Sequence, residues 1–436
     1  MKTINKKSLY YILFEEIKEK IESGKILYGE RLTPVRVKAS EKAVNPATVV
    51  KAYKMLEEIN YVSTLKGSGT FVSYKKENIA KNIKKDQYNF QMNYEAVFDF
   101  ASSTPDVDFY PVEDFKKCVD TAFEKDKYEI FQYEDIKGYS GLIEEIKKNH
   151  KSADTGNNSV QIVNGAQQAL DIIVRLFSGC SVLIEKPGYS GIINLAGNNV
   201  FFLENTFNNI KDEDIEKIIK NNNIKIIYCN SVMHNPTNEN INSEKRDFLI
   251  ELSEKYDFYI IEDDCFSDFY DKDLINMFKP ADKFGRVFYV KTYSKTFMPG
   301  LRMGYMMFPE KFSGKIEKLK YASDISNSGL IQRSFFYFLK DGYYRKYIEK
   351  YRKEISEKRQ LFSAFLKKNS DFFYFDKNYD GNGIYFWVKI KNIYLYDNFT
   401  DLCRDNGIIF MEGRNFNGDK GYIRISVNNI SVKKLK

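Results

Sequence analysis

Lys295 closes the run Thr292-Tyr293-Ser294-Lys295 at the end of a β-type stretch, with Arg302 seven residues further on. An amine able to form a Schiff base, two hydroxyls and a guanidinium together suit a ligand that carries both a carbonyl and a phosphate. Upstream, Ile261-Glu262-Asp263-Asp264 ends another such run in three acids. Carboxylates clustered at a strand end need a cation or a protonated ring nitrogen nearby. Glu185-Lys186-Pro187-Gly188-Tyr189 places an aromatic ring after a strand, and His234-Asn235-Pro236-Thr237 places an amide in a turn. Asn164-Gly165-Ala166-Gln167 opens a helix whose free N–H groups suit a phosphate. Pyridoxal 5′-phosphate uses all of these groups. A lysine takes its aldehyde, a carboxylate its pyridinium nitrogen, a ring its face, an amide its phenolic oxygen, and hydroxyls with an arginine its phosphate.

Such residues must be delivered to one edge of one scaffold. Apolar runs at Val160–Val163, Ser181–Glu185, Val200–Leu203, Ile224–Cys229, Phe258–Glu262, Arg286–Lys291 and Met303–Phe308 read as strands. Helical patterns such as Ser243–Tyr256 lie between some of them. That alternation predicts a mostly parallel, doubly wound α/β sheet with ligands at the carboxyl ends of its strands, where the motifs fall.

In this order the motifs resemble those of the fold-type I aminotransferases, over residues 98–436. The resemblance implies an aminotransferase-like, PLP-binding effector and dimerisation domain with a small C-terminal α+β subdomain. It implies Lys295 as the Schiff-base residue, Asp263 as the pyridinium partner, Tyr189 as the stacking ring and Asn235 at the 3′-oxygen. Gly165, Ala166, Gln167, Thr292, Ser294 and Arg302 would surround the phosphate. The strand in Gly421-Tyr422-Ile423-Arg424-Ile425-Ser426-Val427 would carry the arginine that grips a ligand carboxylate, Arg424. Two positions depart from the pattern. Cys265 stands where the family places a tyrosine donating to the 3′-oxygen, and a thiol is a weak donor. Asn238 replaces a glycine and is expected to crowd the cofactor. Both favour binding without efficient transamination.

The first fifth of the chain differs in charge. Residues 1–78 hold 15 basic and 9 acidic residues, and they carry nearly all of the net charge of +7. Leu9, Leu13, Ile17 and Ile21 repeat at helical spacing between a Ser8 cap and Gly24. Thr33-Pro34 reads as a cap and first helical residue, Asn45-Pro46 repeats that signal, and Val49, Ala52, Tyr53 and Leu56 form a buried stripe. Tyr61–Leu65 and Thr70–Tyr74 flank Lys66-Gly67-Ser68-Gly69 as a hairpin. Three helices and a hairpin in this order predict a winged helix-turn-helix (α+β), with the third helix in a major groove. The stretch resembles the DNA-binding domain of the GntR family of bacterial regulators. That resemblance places DNA contacts at Arg36, Asn45, Thr48, Lys51 and Gly69 with its neighbours Lys66 and Ser68. Pro46 stands where many members carry an arginine, and Ser68 replaces a basic wing-tip residue.

The expected organisation is a DNA-binding domain over 1–74, a Lys/Asn-rich linker over 75–97 and the large domain over 98–436, which is the architecture of the MocR-like subfamily. Its members imply a PLP-binding transcription regulator, a head-to-tail homodimer on double-stranded promoter DNA, and an effector that is PLP or an amino compound. The rival readings are a working aminotransferase with an accessory DNA-binding domain, and a cofactor-free dimerisation platform. The composition agrees with a cytoplasmic protein. Five scattered cysteines without a CxxC pair fit reduced thiols, and two histidines exclude a His-rich metal site. Met1–Tyr10 is too polar for a signal peptide, and no apolar run approaches the ~18 residues of a membrane span.

Overall fold

The computed structural model describes residues 9–22, 25–26, 29–58, 61–65, 69–73, 96–149, 158–270, 276–375 and 383–436. The chain divides into two compact units, Met1–Gln91 and Met92–Lys436.

In the first unit, helix α1 spans Leu9–Glu22, α2 Val35–Glu41 and α3 Pro46–Glu58. The apolar stripes bury Leu13, Phe14, Ile17 and Ile21 of α1 against Val49, Ala52, Tyr53 and Leu56 of α3. Strands β1 (Val62–Leu65) and β2 (Gly69–Val72) pair antiparallel, Val62 opposite Val72 and Leu65 opposite Gly69. The start of α2 differs from the expectation. Pro34 occupies the cap position, Thr33 makes no cap, and the Thr33 carbonyl instead accepts the Tyr53 hydroxyl at 2.7 Å. Residues 29–32 also run beside β2, with Leu32 N donating to Thr70 O at 2.8 Å and Val72 N to Glu30 O at 2.9 Å. The expected caps Ser8 and Gly24 lie outside the described residues.

The second unit is built on a seven-stranded sheet. Its strands are β4 (Asn158–Val163), β5 (Ser181–Glu185), β6 (Val200–Leu203), β7 (Ile224–Cys229), β8 (Tyr259–Asp264), β9 (Val287–Thr292) and β10 (Gly304–Pro309), following the short β3 (Phe98–Asp99). The spatial order is β4-β10-β9-β8-β7-β5-β6. Strands β6, β5, β7, β8 and β9 are parallel, and β10 runs antiparallel to both neighbours. One face packs Ile226, Tyr228, Ile261 and Val290 against helices Ala166–Leu176 and Ser313–Asp324. The other packs Ile227, Cys229 and Ile260 against helices Asp212–Asn221 and Ser243–Lys255. Alternation along β8 therefore sends Ile261 and Asp263 to the first face, and Ile260, Glu262 and Asp264 to the second.

The long helix Tyr343–Lys368 leads to the small antiparallel sheet β11 (Phe373–Tyr374), β12 (Tyr385–Ile390), β15 (Tyr422–Ser426) and β14 (Met411–Glu412), while β13 (Ile408–Ile409) pairs parallel with β3. Among the described residues no helix is long and apolar enough to cross a membrane.

Candidate functional site

Every buried acid of β8 is satisfied differently, and the strand's alternation decides how. Glu262 accepts the Ser231 hydroxyl at 2.5 Å and the backbone N–H groups of Phe278 and Lys279, each at 2.8 Å. Burial still pushes its carboxyl up to about 7. Asp264 accepts Lys291 Nζ at 3.1 Å and the Tyr289 hydroxyl at 2.5 Å. Burial works against its ionisation, yet Lys291 and the hydroxyls of Ser267 and Tyr289 hold it down at about 2. These two acids belong to the core. Asp263 points the other way. Its Oδ2 accepts the Tyr228 hydroxyl at 2.6 Å, and its Oδ1 faces the Cys265 thiol at 3.6 Å. Among the described residues it forms no ion pair, and burial pushes its carboxyl up to about 6.

The remaining strand ends gather around that acid. Gly165 ends the β4 turn at φ +81° and ψ 174°, a backbone open to glycine, and caps helix Ala166–Leu176. A Cβ there would lie 2.9 Å from Arg302 Nη2. Arg302 donates to the Asn164 carbonyl at 2.8 Å and to Ser294 Oγ at 3.4 Å, and Thr292 Oγ1 lies 3.2 Å from Ser294 Oγ. This cluster brings two hydroxyls, a guanidinium and a helix N-terminus together, with Ala166 and Gln167 on its first turn. The Tyr189 hydroxyl reaches Gln167 Oε1 at 3.3 Å, and its ring stacks at 27° to Tyr228 with centroids 6.4 Å apart. Lys295 follows β9. Burial lowers its amine below the ordinary lysine range, and Arg424 and Arg302 add to that against Cys265 and Asp263.

Arg424, on β15, closes the other side. It is buried, donates through Nη1 to Asn235 Oδ1 at 3.1 Å and through Nη2 to the Ala101 carbonyl, and leaves Nε without a partner. Among the described residues it forms no ion pair, and burial lowers its pKa. Asn428 sits beneath the site, fully buried. Its Nδ2 donates to the carbonyls of Ser103 at 2.7 Å and Lys295 at 3.0 Å, and its Oδ1 accepts the Tyr351 hydroxyl at 2.5 Å. Asn238 takes the left-handed backbone usual for glycine (φ +67°), and its side chain turns to β12, accepting Tyr385 N at 3.1 Å.

The residue set fits pyridoxal 5′-phosphate. A buried carboxyl that forms no ion pair among the described residues matches a pyridinium nitrogen, the Gly165–Arg302–Ser294 cradle matches a phosphate, and the buried Lys295 amine matches an aldehyde. Tyr228, Asn230 and Asn428 belong to the same neighbourhood and carry no motif of their own.

In the first unit, the Asn45 side chain caps α3 by accepting Ala47 N at 2.8 Å. Arg36, Asn45 and Lys51 are exposed and Thr48 is half-buried, and Lys51 Nζ sits 3.7 Å from the centre of the Tyr10 ring. Gly69 opens β2 at φ +118°. Lys66 and Ser68 lie outside the described residues.

Fold and site define the class: residues 95–436 match the aminotransferase class I and II family, to which the chain belongs. Residues 9–72 match the gntR family of bacterial regulatory proteins, so a helix-turn-helix module precedes the aminotransferase fold. The whole chain is similar to curated regulators with the same reach. One is the HTH-type transcriptional regulator NorG of Staphylococcus aureus, 24% identical over 91% of this chain and 95% of its own. Another is the uncharacterized HTH-type transcriptional regulator YdfD of Bacillus subtilis, 27% identical over 100% and 95%. Among solved structures it resembles the kynurenine aminotransferase of Pyrococcus horikoshii, with TM-score 0.71 and 24% identity over 79% of this chain and 88% of that one. The α-aminoadipate aminotransferase LysN of Thermus thermophilus gives TM-score 0.69 and 20% identity over 78% and 90%.

Proposed function

We propose that this protein is a bacterial transcription regulator that binds promoter DNA through its first unit and senses PLP, or an amino compound joined to it, in its second. The observation that carries the sensor reading is the meeting of Asp263, Lys295 and Arg302 at one sheet edge, in a chain that also holds a complete helix-turn-helix. When bound, pyridoxal phosphate would supply an aldehyde that condenses with amines. Arg302, Ser294, Thr292 and the N–H groups following Gly165 would hold its phosphate. Asp263 would keep its ring nitrogen protonated, and Tyr189 would cover its face. Burial lowers the pKa of the Lys295 amine, the direction that favours the neutral form needed for attachment. Arg424, a buried guanidinium that forms no ion pair among the described residues, suits an amino compound bearing a carboxylate.

The reading favours sensing over turnover because of Cys265. A thiol already directed at Asp263 Oδ1 replaces the strong phenolic donor expected there. A head-to-tail homodimer on repeated half-sites completes the proposal.

The test is a spectrum paired with a DNA-binding titration on the duplex upstream of the protein's own gene. The reading expects a visible absorbance band on adding PLP, lost in Lys295→Ala, and a DNA affinity that changes with PLP or an amino donor. Rapid conversion of the bound cofactor to its amine form by amino acids would select an aminotransferase instead. A protein that stays colourless with excess PLP would leave only a dimerisation platform.

A further inference from the structure

The resemblance to the GntR family leaves the wing short of one cation, since Ser68 stands at a position usually basic. The structure supplies a replacement from outside the hairpin. We propose that Arg31 is a DNA-phosphate contact of this protein, a role that rests on the DNA-binding reading above.

The argument begins with the strand-like segment beside β2. Arg31 pairs antiparallel with Phe71, and the flanking hydrogen bonds Leu32 N to Thr70 O (2.8 Å) and Val72 N to Glu30 O (2.9 Å) fix its place against the hairpin. Its guanidinium lies across Gly69, the first residue after the wing turn. A Cβ on Gly69 would stand 2.5 Å from Arg31 Nε and 3.1 Å from Cζ. Glycine at 69 therefore leaves room for an arginine side chain, in addition to permitting φ +118°.

Several basic residues of this unit are tied to its own carboxylates. Lys20 and Lys42 both reach Glu16, at 2.7 and 2.6 Å, and Lys38 reaches Glu41 at 3.1 Å. Arg31 is exposed and forms no ion pair among the described residues. An exposed guanidinium without a carboxylate, fixed on a backbone-contacting hairpin, presents the fork of donors that grips a phosphate. The hairpin of a winged helix lies against the DNA backbone, so the contact carries charge and position rather than base sequence.

The test uses the full-length protein and a short mixed-sequence duplex, with affinity measured by fluorescence anisotropy across a salt series. Arg31→Met keeps the aliphatic stem over the glycine and removes the charge. It is expected to weaken binding several-fold at low salt and lower the slope of log affinity against log salt by about one. Arg31→Lys should keep the wild-type slope, and Ser68→Arg added to Arg31→Met should restore it. Unchanged affinity and slope in Arg31→Met, with Lys51→Ala still lowering them, would overturn the assignment and leave the DNA-binding reading standing. A wild-type protein without affinity for any duplex would remove both. Should Arg31→Met lose helical signal, the slope of the folded Arg31→Lys protein decides: a slope reduced as by charge loss overturns the proposal.

Discussion

The Tyr228 hydroxyl donates to Asp263 Oδ2 at 2.6 Å, and Asn230 Nδ2 stands 3.3 Å from the same phenolic oxygen. The relay holds one carboxylate oxygen, while the other meets only the weak Cys265 thiol donor at 3.6 Å and is the one open to a ring nitrogen. A hydrogen bond to a charged group contributes about 1.5–3 kcal/mol. Tyr228→Phe is thus expected to raise the Asp263 pKa further and to weaken PLP binding by roughly tenfold or more. Titrating the visible band with PLP near neutral pH measures it. Equal affinity in the variant would show the phenol to be a packing group only.

Asp263 also sets a pH dependence of its own. Its folded pKa of about 6 lies above the ordinary 3.8, so ionising it costs the fold. Without cofactor, this group's contribution is present below pH ~4 and lost as pH rises toward 6, amounting to about 3 kcal/mol. Asp263→Asn should therefore unfold at a higher temperature than wild type at pH 7, and the gap should close by pH 4. A constant gap across that range would mean that the carboxyl is not strained by its burial.

Gly165→Ala joins two penalties. The backbone at φ +81°, ψ 174° is nearly glycine-only, at about 1–3 kcal/mol, and the new methyl meets Arg302 Nη2 at 2.9 Å. Thermal unfolding of the large unit should fall, and affinity for PLP should fall further than stability. Inorganic phosphate protecting wild type and variant equally would argue against a phosphate cradle here.

Asn45 has two tasks that substitution can separate. Asn45→Ala removes the cap on α3, at about 1 kcal/mol, whereas Asn45→Asp keeps a capping oxygen and adds a negative charge facing outward. Calorimetry should show the Asp variant near wild type in stability, while its DNA affinity drops more than that of the Ala variant. If DNA affinity follows stability in both, Asn45 is a cap alone.

Much of the large unit was legible because its strands are apolar runs ended by unusual residues. Strands β5, β6 and β7 lie where the sequence places them, whereas β8 and β9 each start one residue later than expected and end two residues and one residue later. The acidic end of β8 was readable as a cluster. Its division into two core acids and one facing the site was not, because alternation assigns faces only once the neighbours of β8 are known. Tyr228 shows the same gap. It sits inside an apolar run and meets Asp263, 35 residues away, only through β7–β8 pairing. Asn428 is harder still, since its carbonyl partners lie 325 and 133 residues distant. In the small unit, spacing revealed the helices and hairpin. The strand-like edge at 29–32 was hidden, because Gly29–Leu32 carries no β-type pattern.

The amide of Asn428 grips position 295 by its main-chain oxygen, leaving the lysine stem out of the bond. Whatever side chain occupies that position, the loop keeps its anchor. Exchanging the lysine therefore removes an amine without loosening the backbone that bears it, which makes Lys295→Ala a chemical deletion, with the fold as its built-in control.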